Sequence, residues 1–458
     1  MDILLIPHNT HWQDPGRFSE TDPNLIKLAE QTIVHKHQLL KELPSEPGIY
    51  TLGGGRQIGK STLLKQWMNL LLKQSVPARS IVFISGELIV DHHALMRLIQ
   101  SLLSEMTGAV KYLIIDEVTY IKDWDKAIKY AADIRLFHNV IVILTGSDLA
   151  LIKQARMTFP GRRGKAKKIN FHLYPLSFRE YIQLMDPFDI DDFLLDINLI
   201  DSNKLTLLYK YFDKYLMHGG FLTAINDLAQ HHCILESTLM TYSEWIRGDV
   251  LKRGKSETYL REIMSGLVKR YGSQLSWNAL AGAISIDHPN TVADYCHLLE
   301  SMDALFIQSA LIEDKLMGAP KKAKKIFFTD PFIYHAIHYW LSPVDNPFTE
   351  QISPALTDPE LCSKLVEACV VTHYRRYYPT YYIKAEGEID IAYLDKKKFW
   401  PIEIKWRNQL RAKDIKQISK YPNAKILSRM PEYGQIDKIP MIPLPCALLA
   451  LDKELLVD

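Results

Sequence analysis

Gly54-Gly55-Arg56-Gln57-Ile58-Gly59-Lys60-Ser61-Thr62 is the stretch that decides the fold. Gly54, Gly59, Lys60 and Ser61 fill the spacing G-x-x-x-x-G-K-[ST], in which backbone N–H groups curl around phosphate oxygens. Glycine is required where a side chain would block that approach or where φ must be positive. Lys60 then reaches the β- and γ-phosphates, and Ser61 offers its hydroxyl to Mg2+. Gly48 to Leu52 reads as a strand before the loop and Ser61 to Lys73 as a helix after it, which is the strand-loop-helix order the motif needs. ATP with Mg2+ is therefore the expected occupant of Gly54 to Thr62.

A second element lies further along the chain. Lys111 to Glu117 is an apolar run ending in two carboxylates, the form of a buried parallel strand that delivers acids at its C-terminal edge. Asp116 is expected to hold Mg2+ directly or through water, and Glu117 to polarise the water that attacks the γ-phosphate. A third apolar strand, Asn139 to Leu144, runs into Thr145-Gly146-Ser147, and Thr145 or Ser147 would sense the γ-phosphate. The plainer reading makes Asp116-Glu117 a helix cap and Thr145-Gly146-Ser147 a loop, which is easier to accept for each alone than for both beside a P-loop.

Strands and helices alternate from Gly48 to about Asn170, so an α/β fold is expected, with a parallel sheet covered by helices on both faces. Before it, Pro23 to Lys41 reads as one helix with Leu25, Ile26, Leu28, Ile33, Leu39 and Leu40 among charges. After it, Phe178 to Trp245 is helical in pattern, with Leu194, Leu195, Leu205, Leu207 and Leu208, and suggests a lid or linker. From Leu260 to Asp330 the order is helix, turn, helix from His288-Pro289-Asn290-Thr291 onward, and two strands around Lys321-Lys322-Ala323-Lys324-Lys325, which makes a winged helix. The lysine loop suits phosphate contacts. The helix expected to read bases offers Asn290, Asp294 and His297 and almost no Arg or Lys, so a winged helix used only for packing remains equally open.

With 458 residues, the chain exceeds what a single core organises, so two to four domains are expected. Its 47% hydrophobic and 24% charged content is that of a globular protein, and a net charge of +2 leaves any nucleic-acid binding to local patches. No apolar stretch is long enough to span a membrane. Met1 to Pro7 lacks a basic n-region and a cleavage site, and five cysteines without a C-x-x-C pair suit free thiols, so a cytoplasmic location is expected. Neighbouring histidines at 92–93 and 231–232 lack partners at ligand spacing, so a zinc site is not expected.

Near the other end, Gly387 to Tyr393 alternates polar and apolar, and after Asp395-Lys396-Lys397-Lys398 comes Trp400-Pro401-Ile402-Glu403-Ile404-Lys405-Trp406. These read as paired strands, with Glu388 and Asp390 on one face, Glu403 and Lys405 on one face, and the isoleucines buried behind. Asp390 and Glu403 can hold a divalent metal, and Lys405 can activate water or stabilise phosphorane charge. Glu367, on a helix expected from Leu361 to Tyr374, is a third candidate ligand, and a helix from Lys413 to Tyr421 would carry Gln417 toward substrate. The plainer reading leaves Glu403 and Lys405 on a solvated hairpin face.

In order along the chain, GGRQIGKSTLL, IIDEV, TGS, Gly161-Arg162, FHLYPLSFREYI (Phe171 to Ile182), YLMHGGFLTAI (Tyr215 to Ile225) and EID…PIEIK resemble the prokaryotic AAA-type ATPases whose P-loop domain is fused to a winged helix and a C-terminal domain of the PD-(D/E)XK restriction-endonuclease-like superfamily. The resemblance covers nearly the whole chain. It implies a P-loop ATPase domain with its N-terminal helix at 1–175, a helical lid at 176–255, a winged helix at 256–345 and a nuclease-like domain at 346–458. It further implies Mg2+-dependent ATP hydrolysis, and places Glu367, Asp390, Glu403 and Lys405 on the superfamily's active positions, where a second Mg2+ or Mn2+ would bind. DNA is the implied partner, and an oligomer is compatible. The basic run from Gly161 to Lys168 departs from the family pattern, and Arg162 or Arg163 is a candidate arginine finger there. Two functions stay open: an ATPase that governs a DNA nuclease, and a nucleotide-dependent switch whose nuclease-like domain only binds a partner.

Overall fold

The structure is a computed structural model that describes residues 3–159, 161–162, 166, 168–185, 190, 202–407, 415–431 and 433–451. It divides into two compact units, Met1–Tyr174 with Ser301–Asp303, and Pro175–Glu300 with Ala304–Asp458. The segments separated in the sequence at 176–255, 256–345 and 346–458 lie in the second, apart from Ser301–Asp303.

In the first unit, strands β1 (Gly48–Gly53), β2 (Ile81–Ser85), β3 (Lys111–Asp116), β4 (Val140–Gly146) and β5 (Asn170–His172) form one parallel sheet in the order β2-β3-β4-β1-β5. Successive residues face opposite sides. Ile49, Ile84, Leu113 and Val142 pack on one face with Leu95, Ile99 and Ile128, while Tyr50, Phe83, Ile114 and Ile143 pack on the other with Leu63, Leu64 and Trp67 of helix Lys60–Lys73. Both faces are covered, which is why these strands are apolar throughout instead of alternating. Because β4 lies between β1 and β3, its end at Thr145-Gly146 is delivered between the P-loop and the acid pair.

The expected single helix from Pro23 to Lys41 is instead two. Asp22 caps the first by accepting from the backbone of Asn24 and Leu25, Pro23 starts it, and it stops at Ala29; a second short helix spans Leu39–Glu42. The β-branched run Thr32-Ile33-Val34 loses side-chain freedom in a helix, and this is where the helix is broken. The preceding residues cover the β2 edge of the sheet. Asn9 Nδ2 donates to the Phe83 carbonyl at 2.8 Å and its Oδ1 accepts from Phe83 N at 2.8 Å, so the amide side chain imitates a neighbouring strand.

The second unit begins with helices Phe178–Met185, Ser202–His218, Leu222–His231 and Glu236–Lys252. Leu194 and Leu195 lie outside the described residues. Helices Glu257–Lys269, Trp277–Ala281 and Pro289–Ser301 then precede an antiparallel pair, β6 (Leu305–Ser309) and β9 (Lys324–Phe328), with a small hairpin of β7 (Leu311–Ile312) and β8 (Met317–Gly318) between them. The lysine loop is not a uniformly solvated wing. Lys321 and Lys322 are exposed, but Lys325 is 1% exposed.

Helix Pro359–Arg375 leads into a six-stranded mixed sheet of β10 (Thr380–Lys384), β11 (Glu388–Asp395), β12 (Lys398–Lys405), β13 (Lys425–Ser428), β14 (Gly434–Ile436) and β15 (Ile439–Pro443), in the order β10-β11-β12-β13-β15-β14. The turn of β11 and β12 puts Lys396 and Lys397 at φ 47° and 62°, the paired positive φ of a two-residue hairpin. Ile389, Ile391, Ile402 and Ile404 are buried, as the alternation requires. The expected helix over Lys413–Tyr421 is corrected: 413–414 lie outside the described residues, and the rest holds only a 3-10 turn, Ile418–Lys420, with Gln417 packed against Gly387.

The distinctive motifs meet inside this unit as a packing joint. Gly220 N donates to Asp330 Oδ2 and its carbonyl accepts from Leu176 N, both at 2.9 Å. A Cβ on Gly219, at φ 56°, would come 1.6 Å from Asp330 Oδ1, and one on Gly220 would come 2.1 Å from the Leu176 carbonyl. Only glycine fits at either position. His373 Nε2 accepts from Phe178 N at 3.0 Å while Nδ1 faces the Cys369 carbonyl at 2.7 Å, which assigns a neutral imidazole protonated on Nδ1.

Candidate functional site

The cradle is assembled at the C-terminal ends of β1, β3 and β4, the usual place for a ligand in an open α/β sheet. Gly54 has φ 147°, and a Cβ there would lie 2.5 Å from the Leu173 carbonyl. Gly59 takes φ 96° to start helix Lys60–Lys73, and Gln57 takes φ 55°. These conformations turn the loop around an open centre and leave the helix N-terminus facing it, a favourable seat for an anion. Ile58 packs against the sheet core, Arg56 stacks over the Tyr120 ring at 5.2 Å, and Thr62 follows in the first turn of the helix.

Lys60 is 4% exposed. Its Nζ donates to the carbonyls of Gly54 at 3.0 Å and Gly55 at 2.8 Å, and stands 3.3 Å from Glu117 Oε1. Asp116, also buried, accepts from Ser61 Oγ on Oδ2 and from Thr145 Oγ1 on Oδ1, each at 2.5 Å. Thr145 Oγ1 accepts in turn from Glu117 N at 2.8 Å, and Ser147 donates to Glu117 Oε2 through both N and Oγ at 3.1 Å. Every residue of the expected nucleotide set except Arg162 is thus placed in the loop, its helix or this network.

Burial pushes the Asp116 carboxyl up from its ordinary range, against the two hydroxyl donors. A buried carboxylate held by hydroxyls is an arrangement that a divalent cation completes. For Glu117, burial acts upward but is outweighed by Lys60, the Ser147 N–H and Arg56, so this carboxyl lies below its ordinary value. It is a carboxylate restrained by an ammonium. Glu117 sits at φ 51°, which turns its side chain back over the strand end. Ser61 and Asp116 fit a Mg2+ ion, and the glycine cradle with Lys60 fits a phosphate chain.

Two glycines that the motif reading missed shape this end of the sheet. A Cβ on Gly86 would come 2.6 Å from the Glu117 carbonyl, and one on Gly146 would come 2.6 Å from Thr119 Cγ2. Gly86 stands in no recognisable motif, and Gly146, although part of Thr145-Gly146-Ser147, carried no role of its own there, so only the folded chain shows why each is glycine. Arg162 forms an ion pair with Asp133, the last residue of helix Trp124–Asp133. An arginine finger at this position would have to leave that pair, and Arg163 lies outside the described residues.

The second set of expected residues also converges. Asp390 Oδ2 accepts from Ile404 N at 2.8 Å, and Lys405 Nζ donates to Glu403 Oε1 at 2.5 Å. The three carboxylates whose oxygens lie within 4.8 Å of one another are Glu367, Glu388 and Asp390, so Glu388 takes a place expected for Glu403. Glu403 is 6% exposed, with Oε2 buried and lacking a hydrogen-bond partner among the described residues. Burial, then Asp390, push its carboxyl up, with Lys405 acting against them. Lys325, from β9, reaches into the trio: its Nζ lies 2.6 Å from Glu367 Oε1, pairs with Glu388 Oε1 and stands 3.7 Å from Asp390 Oδ1. Burial disfavours that charge, but the three carboxylates outweigh burial and hold the ammonium protonated.

Comparison with known proteins agrees with the first unit. The family model of an AAA domain matches residues 46–182, and that of a domain of unknown function (DUF8612) matches residues 209–344. An uncharacterized protein of Haemophilus influenzae is 23% identical over 295 residues, covering 62% of this chain and 67% of its own length. An uncharacterized protein of Methanocaldococcus jannaschii is 29% identical over 191 residues, 38% of each chain. Among solved structures, the Walker-type ATPase of Pyrococcus abyssi aligns at 13% identity with a TM-score of 0.41, over 71% of this chain and 95% of its own. The Aeropyrum pernix ORC1 protein in complex with DNA aligns at 11% identity with a TM-score of 0.33, over 69% and 91%. No described helix is long and apolar enough to cross a membrane. Residues 46–182 thus match the family model of an AAA domain, and over that span a parallel sheet brings together the P-loop, the acid pair and the end of β4.

Proposed function

We propose that the chain is a Mg2+-dependent ATPase, and the observation that carries this is the network joining Lys60, Ser61, Asp116, Glu117, Thr145 and Ser147. Ser61 and Asp116 would hold Mg2+, which would offset charge on the phosphates. Lys60, placed beside Glu117 and the Gly54 and Gly55 carbonyls, would be drawn to the γ-phosphate by an entering triphosphate. That transfer frees Glu117 to take a proton from water at Oε1, while Ser147 keeps Oε2 fixed. Thr145, donating to Asp116 and accepting from Glu117 N, holds the two carboxylates in register. The substrate itself thus releases the base that cleaves it. Lys60→Ala should abolish ATP binding in calorimetry on folded protein; heat equal to that of wild type would refute the assignment.

A second reading concerns the second unit, and the gathering of Glu367, Glu388 and Asp390, near the Glu403–Lys405 pair, supports it. In this reading the centre is nuclease-like, DNA is the polymer it meets, and ATP turnover in the cytoplasm controls access to it. Lys405, beside Glu403, would stabilise charge on the phosphate while the carboxylates hold Mg2+ or Mn2+. Plasmid nicking that needs metal and disappears in Lys405→Ala is the expected result. Equal nicking by both proteins would refute the assignment. No metal-dependent nicking would favour a nucleotide-dependent partner-binding module.

A further inference from the structure

We propose that Lys325 is an internal stand-in for a divalent cation: its ammonium closes the acidic centre of the second unit, and withdrawing it opens a metal site. This rests on reading that centre as a metal-binding one.

The centre holds three carboxylates whose oxygens lie within 4.8 Å of one another. Without a cation such a trio repels itself. Lys325 supplies the charge, reaching all three acids from a different part of the chain. One ammonium leaves the trio with a formal charge of −2, and Glu403 with Lys405 forms a neutral pair beside it. A divalent ion in its place would leave −1, so the centre is under-neutralised with lysine in place. Glu403 Oε2, buried without a partner among the described residues, is a further oxygen available in the same neighbourhood.

Lys325 is also out of place for its strand. Its β9 neighbours Ile326, Phe327 and Phe328 are all buried, and a Met or Leu would satisfy that packing without desolvating a charge. The geometry therefore serves the acids and not the hairpin. Polar ties hold the hairpin: Gln308 Nε2 donates to the Asp390 carbonyl at 3.0 Å, Tyr382 Oη donates to the Ala323 carbonyl at 2.6 Å, Ala310 forms a β-bridge with Tyr382, and Leu275 exchanges two backbone hydrogen bonds with Lys324, each at 2.7 Å. Releasing these polar ties would let β9 carry Lys325 out, so the hairpin acts as a plug.

The test uses the full chain and Mn2+ alone, without nucleotide, with bound ion counted by electron paramagnetic resonance. Lys325→Met should gain one Mn2+ site at least about tenfold tighter than any wild-type site at this centre, and Lys325→Met with Asp390→Asn should lose the gain. A folded Lys325→Met that binds no more Mn2+ than wild type overturns the proposal. Should that variant fail to fold, wild type decides: Lys325 should resist acylation by an amine reagent and become reactive as Mn2+ rises, and unchanged reactivity overturns the proposal equally. Mn2+ uptake by Lys325→Met without DNA cleavage upholds the plug and refutes only the nuclease reading.

Discussion

Glu117→Gln separates the two jobs that the structure gives this carboxylate. Charges 3.3 Å apart, at an effective dielectric constant of about 20, attract by about 5 kcal/mol. Both groups were desolvated to make the pair, Lys60 being 4% exposed, so the net worth is about 1–2 kcal/mol. Lys60 keeps the Gly54 and Gly55 carbonyls when the charge is removed, so the loop should stay folded. In wild type ATP must break the Lys60–Glu117 pair before the ammonium reaches phosphate; in Glu117→Gln it need not. ATP affinity should therefore rise about tenfold, while turnover falls about 100- to 10,000-fold with the loss of the base. Calorimetry with Mg2+ and ATP, beside a phosphate-release assay, reads both. Weaker ATP binding by the variant, or turnover at the wild-type rate, would refute a base held in reserve by the P-loop lysine.

Three further outcomes follow from buried groups. Burial lowers the imidazoles of His218 and His335 to about 4 and of His373 to about 3, from 6.5. The unfolded chain takes up these protons first, so their contribution is present above pH 6.5 and is lost as pH falls toward 4. Burial raises Asp330 from 3.8 to about 6, with the opposite sign: its contribution is present below 3.8 and lost as pH rises through 6. Glu367 and Glu403, pushed up by burial to about 7 and about 8, act with Asp330 and against the three histidines, so His373→Gln isolates an imidazole: in urea denaturation the wild type should lose stability relative to this variant between about pH 7 and about pH 5; an unchanged difference would contradict the burial. Gly219→Ala, whose Cβ would overlap Asp330 at a left-handed backbone position, should cost more than about 3 kcal/mol, and a melting temperature like that of wild type would place the loop elsewhere. Asp22→Ala strands the fully buried Lys65, which pairs with it at 3.0 Å, and should cost about 3–5 kcal/mol; full stability in a denaturation series would show that the pair is not formed.

The sequence is legible where chemistry needs particular residues in one contiguous stretch. Lys60 and Ser61 must follow Gly59, and Asp116 with Glu117 must end a buried strand, so their spacing alone announces the phosphate cradle and its acids. What stays hidden has partners far away in the chain. Lys325 reads as one more charge in a lysine loop, because nothing nearby indicates Glu367 or Glu388, and its buried neighbours on β9 erase the alternation that would have shown which way it faces. Glu388 was placed on the face of Asp390, but its inclusion in the trio depends on where helix Pro359–Arg375 packs. The paired glycines at 219 and 220 are distinctive as letters, yet their reason is the approach of Asp330 and Leu176 to within less than a side chain's width. The helix expected from Pro23 to Lys41 failed for a local reason, the β-branched run outweighing the apolar period. A motif therefore locates a reaction, whereas a buried charge such as Lys325 shows its role only once three separate segments have packed around it, and the control of the second unit is to be sought at that lysine.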